Sequence, residues 1–305
     1  MDIHISLAAE ELFSIGPVSV TNSMLMMFIV MGLILVVGSW IARKAQTVPT
    51  GKAQGLAEML VSFLLDLVEG SGGKKLGRRI FPLISGIFIF ILFANFSGLL
   101  PGVGTVGIYK EHETEATEEE HAYTNELAST SESAAAEAAV AAEEEHGKVL
   151  VPLMRPPTAD LNMTFALSVI AFISIQIAGV SAHGVVGRIK HMSDPPFLFP
   201  IEVIGELSRI LSLSARLFGN VFAGEILLGV MYAIAAAIKV AVIPMVFPVL
   251  FIGLEVMFGT IQALVFALLT LIYIMLAAAH SDHHEEEHAH DDAHASLPAA
   301  SPSGD

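Results

Sequence analysis

Apolar residues gather in five stretches, at 24–42, 80–100, 161–182, 201–238 and 240–279. A helix needs about 20 apolar residues to cross a hydrocarbon core of about 30 Å. Each stretch is long enough, and the pattern predicts an all-α integral membrane protein with about five spanning helices. A transmembrane barrel would need many short alternating segments separated by turns, which this pattern lacks. The last two stretches approach forty residues each, nearly twice what a crossing requires at about 1.5 Å per residue. They are therefore steeply tilted or broken, and Pro244 and Pro248 predict a bend near the start of the last one.

Residues 55–69 follow another rhythm. Leu56, Met59, Leu60, Phe63, Leu64 and Leu67 form one face, and Glu58, Ser62, Asp66 and Glu69 the other. This is too short and too charged to span, so it predicts one amphipathic helix on the membrane surface or against the next segment. The glycine- and lysine-rich stretch 71–79 reads as a flexible basic loop. Asn95, inside the second span, is expected to hydrogen-bond a neighbouring helix.

The chain thus divides into an outside amino-terminal segment 1–23 and the first two spans 24–100. An insert 101–158 follows, then the third span with the two long helices, 159–279, and a tail 280–305 expected to be disordered. The first segment has acids Asp2, Glu10 and Glu11 where a signal peptide carries bases, so no cleaved signal is expected. Basic residues cluster at 43–52, 74–79 and 188–190. By the positive-inside rule those loops are cytoplasmic, the amino terminus is outside and the carboxyl terminus inside.

Charge refines this picture little. The formal net charge is -16, but residues 110–147 hold twelve glutamates against one lysine, and seven more acids lie beyond residue 280. The insert is too polar to bury a core of its own. Without a basic face or a stacking series, nucleic-acid binding is not expected. The absence of cysteine excludes disulfides, thiolate metal sites and cysteine nucleophiles.

The chemistry lies inside the long stretches. On a helix, Arg209, Ser212, Arg216 and Asn220 fall three or four residues apart and share a polar stripe. An arginine deep in a bilayer costs at least a few kcal/mol, so Arg216 should face protein or a wet cavity. Glu202 and Glu206 precede it and Glu225 follows. On the last stretch Glu255, Gln262 and Tyr273 are spaced by seven and eleven residues, so they face one direction. Glu225 is about half a helical rotation from Arg216, so the two need not share a cavity.

The words Leu213-Ser214-Ala215-Arg216-Leu217-Phe218-Gly219-Asn220 and Ala223-Gly224-Glu225 closely resemble the signature of subunit a of the F-type rotary ATP synthase. The resemblance covers about residues 24–279. It implies an ion-translocating stator subunit whose last two helices form a long, tilted hairpin packed against the c-ring. In that family the matching arginine faces the ring and separates two aqueous half-channels. Arg216, Asn220, Glu225, Glu255, Gln262, Glu202, Ser212 and Tyr273 are the positions the resemblance and the polar pattern assign to ion translocation. In the family the positions of Glu225 and Glu255 are commonly a glutamate and a histidine; two glutamates here depart from that pair. Ile210, where proline is frequent, and Ala215 are milder departures. The implied partners are the c-subunit ring, b-type peripheral stalk subunits and the lipid bilayer. The implied setting is a bacterial inner membrane. No catalytic role of its own, cofactor or metal is expected.

The tail offers a rival reading. Half of the twelve histidines lie at 280–294, and His288 and His290 with nearby acids could gather a divalent cation. A divalent-cation transporter would also need histidine or aspartate ligands within the spans, where the sequence offers essentially none. A purely structural anchor would leave the polar line through the two longest helices unexplained.

Overall fold

A computed structural model describes residues 9–16, 18–47, 51–100, 103, 106–111, 148–192, 197, 199–237 and 243–278. Five helices dominate: α1 Asn22–Lys44, α2 Lys52–Ser97, α3 Leu161–Met192, α4 Phe199–Ala237 and α5 Ile243–Ala278. All five contain windows long and apolar enough to cross a membrane. The chain is a multi-pass membrane protein. The amphipathic helix and the second span belong to one element, α2, which turns sharply at Gly73 (φ 67°, ψ 165°). The flexible loop expected at 71–79 is corrected: helix runs to Gly72 and resumes at Lys74, and Arg78 bonds Glu69 at 2.8 Å across the corner.

The corner lets the first limb of α2 pack on the second. Gly77 presses against the backbone of Val68 and Glu69, where a Cβ would stand 3.1 Å from Glu69 Cα. Leu64 and Val68 are fully buried, while Leu56, Met59 and Phe63 of the same apolar face stay exposed. Half of that face therefore packs on the chain, and half is left for a non-aqueous environment. α3 turns in the same way at Gly184 (φ 71°, ψ 166°), so helix resumes through 185–192 where the sequence reads as a loop.

α5 occupies the middle, touching α2, α3 and α4. Its Ala263, Phe266, Ala267, Leu271 and Ile274 meet Ile84, Phe88 and Ile91 of α2, Ala171 of α3, and Leu213 and Leu217 of α4. Alanines on α5 permit close approach, which is how helices pack when lipid is as apolar as leucine. α1 stands outermost, with Phe28, Leu35, Val36 and Trp40 exposed. Lys44 lies over the Trp40 ring, 4.6 Å from its centroid, the aromatic and basic anchor of a membrane interface.

Two antiparallel hairpins that the hydrophobic pattern did not predict share one end of the bundle, here the upper end. β1 Glu11–Ile15 pairs with β2 Val18–Thr21, and β3 Gly107–Glu111 pairs with β4 Lys148–Pro152. The second hairpin opposes Glu111 to Lys148, so paired strands within the insert flank residues 112–147. Residues 112–147 themselves, Asp194 to Pro196, the segment 238–242 and the tail from 279 lie outside the described residues.

The segment between β4 and α3 is wedged under these hairpins. Asn22 donates to the Pro152 carbonyl at 3.1 Å, and the Ser23 hydroxyl donates to Asp160 at 2.7 Å. Thr158 donates to Asn95 at 2.8 Å, and Asn95 in turn donates to the Gly259 carbonyl at 3.0 Å. Asn95 thus joins α2 to α5, the helix-bonding role its position in a span predicts. Gly98 is a glycine because Pro156 sits on it, where a Cβ would be 2.7 Å from the ring.

Candidate functional site

α4 and α5 run antiparallel. Gly224 of α4 receives the Glu255 carboxylate, which fills the space a Cβ would take, and Arg209 stacks over the Tyr273 ring at 5.1 Å. In that register Gln262 is level with residues 217–220, within a turn of Arg216. The shared face expected for Glu255, Gln262 and Tyr273 is the face α5 turns toward its neighbours. Gln262 is 8% exposed, and its buried Nε2 has no hydrogen-bond partner among the described residues.

Arg216 is the eighteenth of the thirty-nine residues of α4, close to its midpoint. It is exposed on the outward side of the helix, together with Leu207, Ser208, Leu211, Ser212, Ala215, Gly219 and Ala223. The predicted polar stripe therefore divides. Arg209 folds inward onto Tyr273, Asn220 is half-buried at the edge, and Ser212 and Arg216 face away from the chain. Among the described residues Arg216 has no acidic partner, whereas Arg155, Arg188 and Arg209 are each engaged. Phe218 and Phe222 stack at 5.2 Å, one turn past it.

Polar clusters lie on either side of Arg216 along the helix. Toward the upper end, nine residues on, Glu225 accepts from Arg155 at 3.2 and 3.4 Å. No hydrogen bond joins Glu225 to Glu255 among the described residues; Glu225 is held by Arg155, whereas Glu255 lies against Gly224. Toward the lower end, ten residues back, Glu206 accepts from Arg188 at 2.8 Å and from Gln176 at 2.6 Å. The Gly184 corner makes this possible by folding Arg188 back over Gly179. A cavity of about 10 Å³ is lined there by Ser168, Gln176, Glu206, Arg209 and Tyr273, about the room one water needs. Glu202 is exposed in the first turn of α4, where the helix dipole favours a carboxylate.

Arg155 escaped the reading of the sequence. The available signal was its isolation, because no other base occurs between Lys148 and Arg188. A lone base on the side where bases are sparse needs a reason, and Glu225, seventy residues away, supplies it. The Arg188–Glu206 pair was equally hidden, because the corner that builds it reads as a loop. No group of three histidine, aspartate or glutamate side chains able to hold a metal occurs among the described residues. The histidine-rich tail lies outside them.

An arginine at the outward midpoint of a long helix, followed by Gly-Asn and Ala-Gly-Glu, is a specific arrangement. A sequence model of the ATP synthase A chain matches residues 24–275, all five long helices included. The chain belongs to the ATP synthase subunit a family. ATP synthase subunit a of Moorella thermoacetica is 34% identical over 224 residues, covering 73% of this chain and 78% of that one. Its counterpart in Geobacter sulfurreducens is 34% identical over 207 residues, 66% of this chain and 67% of its own. That of Syntrophobacter fumaroxidans is 30% identical over 221 residues, 71% and 68% of the two chains. Subunit a resemblance thus extends over both polar clusters and over Arg155.

Proposed function

We propose that this chain is the ion-translocating stator subunit of an ATP synthase membrane sector. It provides two aqueous half-channels to a ring of c subunits, and Arg216 separates them, so that proton flow drives ring rotation and ATP synthesis. It makes and breaks no covalent bond itself. Its partners are the c-ring, b-type peripheral stalk subunits and the bilayer, and the unit that does the work is 159–279.

The observation that carries this reading is the exposure of Arg216. A guanidinium does not lose its proton at any relevant pH, and in a bilayer an uncompensated one costs at least a few kcal/mol. The cost is offset if an anion on a partner comes to it. A passing c-subunit carboxylate meets that need, and the arginine favours proton loss there. As a standing positive charge it also opposes a hydrated proton slipping directly from one half-channel to the other. The neighbours on its face are small or apolar, which suits a surface along which a ring slides.

The clusters on either side supply the two routes. Glu225 and Glu255 stand about 14 Å from Arg216 on the upper side, and Glu206 about 15 Å away on the lower side, at about 1.5 Å rise per residue. Each charge crossing is worth about 2.3 kcal/mol per 100 mV, the source of torque. Gln262 and Asn220, level with the arginine, hold its surroundings. The lower end carries Arg43, Lys44, Lys74, Lys75, Arg79 and Arg188, which supports a cytoplasmic lower end, an outside amino terminus and an inside carboxyl terminus, in a bacterial cell membrane.

The test is Arg216→Ala in the whole complex reconstituted in liposomes. Ion-driven ATP synthesis is expected to vanish with assembly intact and passive proton leak increased. Near-normal coupled synthesis would return the arginine to a structural role.

A further inference from the structure

The two channel glutamates have different surroundings, and Arg155 makes the difference. Arg155 is 4% exposed, and its Nη2 and Nε both reach one oxygen of Glu225, at 3.2 and 3.4 Å. The segment that presents it is fixed at three points: Pro156 against Gly98, Thr158 on Asn95, and Asp160 on Ser23. Its guanidinium is therefore delivered to Glu225 by a buried, hydrogen-bonded wedge, not by a mobile loop. Removing Glu225 would leave the buried Arg155 charge without compensation, and the guanidinium in turn favours the charged form of Glu225.

Glu255 has no such countercharge. Its carboxylate lies against Gly224 and makes no hydrogen bond or ion pair among the described residues. Among the described residues, few ionisable groups besides those of the two hairpins (Glu10, Glu11, Lys110, Glu111 and Lys148) lie toward this end. The wedge brings Arg155, committed to Glu225, and Asp160, which accepts from Ser23 and the Asn162 backbone. α4 brings Glu225 itself. The neighbouring part of α2, residues 80–97, and that of α1, residues 22–42, carry no ionisable side chain. Glu255 is half-buried at the rim, and among the described residues neither a cation pairs with it nor a donor bonds it.

We infer that Arg155 and Glu225 form an anchored ion pair that divides the work of the two glutamates: Arg155 is a positioning residue that holds Glu225 as a fixed anion, and Glu255 is the group that takes up and hands on the travelling proton. The inference rests on the stator-channel reading above. In the step it describes, the Glu255 carboxylate accepts a proton from channel water and becomes the acid. It then gives that proton to an ionised c-subunit carboxylate and is a carboxylate again. Glu225 keeps its charge throughout and draws protons toward the upper cluster.

The experiment measures ATP-driven proton pumping against pH in membrane vesicles containing the whole complex, with assembly followed by co-purification of the ring. Glu255→Gln is expected to lower pumping by about 100-fold, the lower range for loss of a positioned proton carrier. Arg155→Gln should lower pumping and move its pH profile to the alkaline side, because Glu225 then joins the titration. Arg155→Lys should restore both, since it returns the charge. If Arg155→Gln fails to assemble, the exchanged pair Arg155→Glu with Glu225→Arg decides: recovered assembly supports the pair, and no recovery overturns it. Equal profiles for Arg155→Gln and Arg155→Lys, or pumping that survives Glu255→Gln, would also overturn it. Arg216→Ala, run beside them, separates the two levels: if it keeps coupled pumping, the stator reading itself falls, whereas its loss together with an unmoved Arg155→Gln profile defeats only the division of labour.

Discussion

Position 224 shows how a single missing side chain shapes the site. Glu255 of α5 rests where a Cβ on α4 would be, so the hairpin can close over its own carboxylate only because residue 224 is glycine. Gly224→Ala must push Glu255 or the helix aside, an overpacking cost of about 1–3 kcal/mol. The variant is expected to lower both the thermal stability of the complex and its rate of proton pumping, and an unchanged pair of values would show that Glu255 lies elsewhere. At this scale much of the candidate site was legible. Arg216, Glu225, Glu255 and Gln262 stand out because polar groups in apolar helices are costly and so carry information. Arg155 does not stand out in that way. It lies between Met154 and Pro156, outside any span, and its meaning depends on a partner seventy residues on. No local period reports such a contact.

The helices themselves were visible as runs of apolar residues, because the bilayer imposes a length that the sequence must meet. Their corners were not. Gly73 and Gly184 sit in polar, glycine-bearing stretches that read as loops, yet each is a single residue at positive φ between two helical limbs. The hairpins at the upper end were missed for a related reason: strands of four or five residues leave almost no periodic trace beside twenty-residue spans. A Cβ at 184 would meet nothing within 4 Å, so the cost of Gly184→Ala is backbone strain alone, about 1–3 kcal/mol for a φ/ψ region that is essentially glycine-only. The expected outcome is a lowered melting temperature of the complex, together with weaker proton pumping as the limb bearing Arg188 swings from Glu206. A melting temperature equal to that of the unaltered protein would mean that the turn is made without left-handed backbone.

Across the whole molecule, burial separates the faces by purpose. α5 is enclosed by α2, α3 and α4, α1 leaves most of its surface exposed, and α4 keeps one side bare from Phe199 to Met231. That bare side carries Arg216 at its middle and polar clusters at two levels beneath it, so whatever covers it decides what Arg216 does. The chain contains no cysteine, which allows single reporters to be placed without background. The direct measurement is disulfide formation in membranes between one cysteine on the ion-carrying helix of a c subunit and a cysteine introduced as Ser212→Cys, Ala215→Cys or, for comparison, Val36→Cys, which is 68% exposed on α1 in the unaltered chain. The 212 and 215 variants are expected to cross-link to the ring, and the 36 variant is not. Cross-linking at 36 with none at 212 or 215 would contradict this, because the ring would then ride on α1 and Arg216 would face something else.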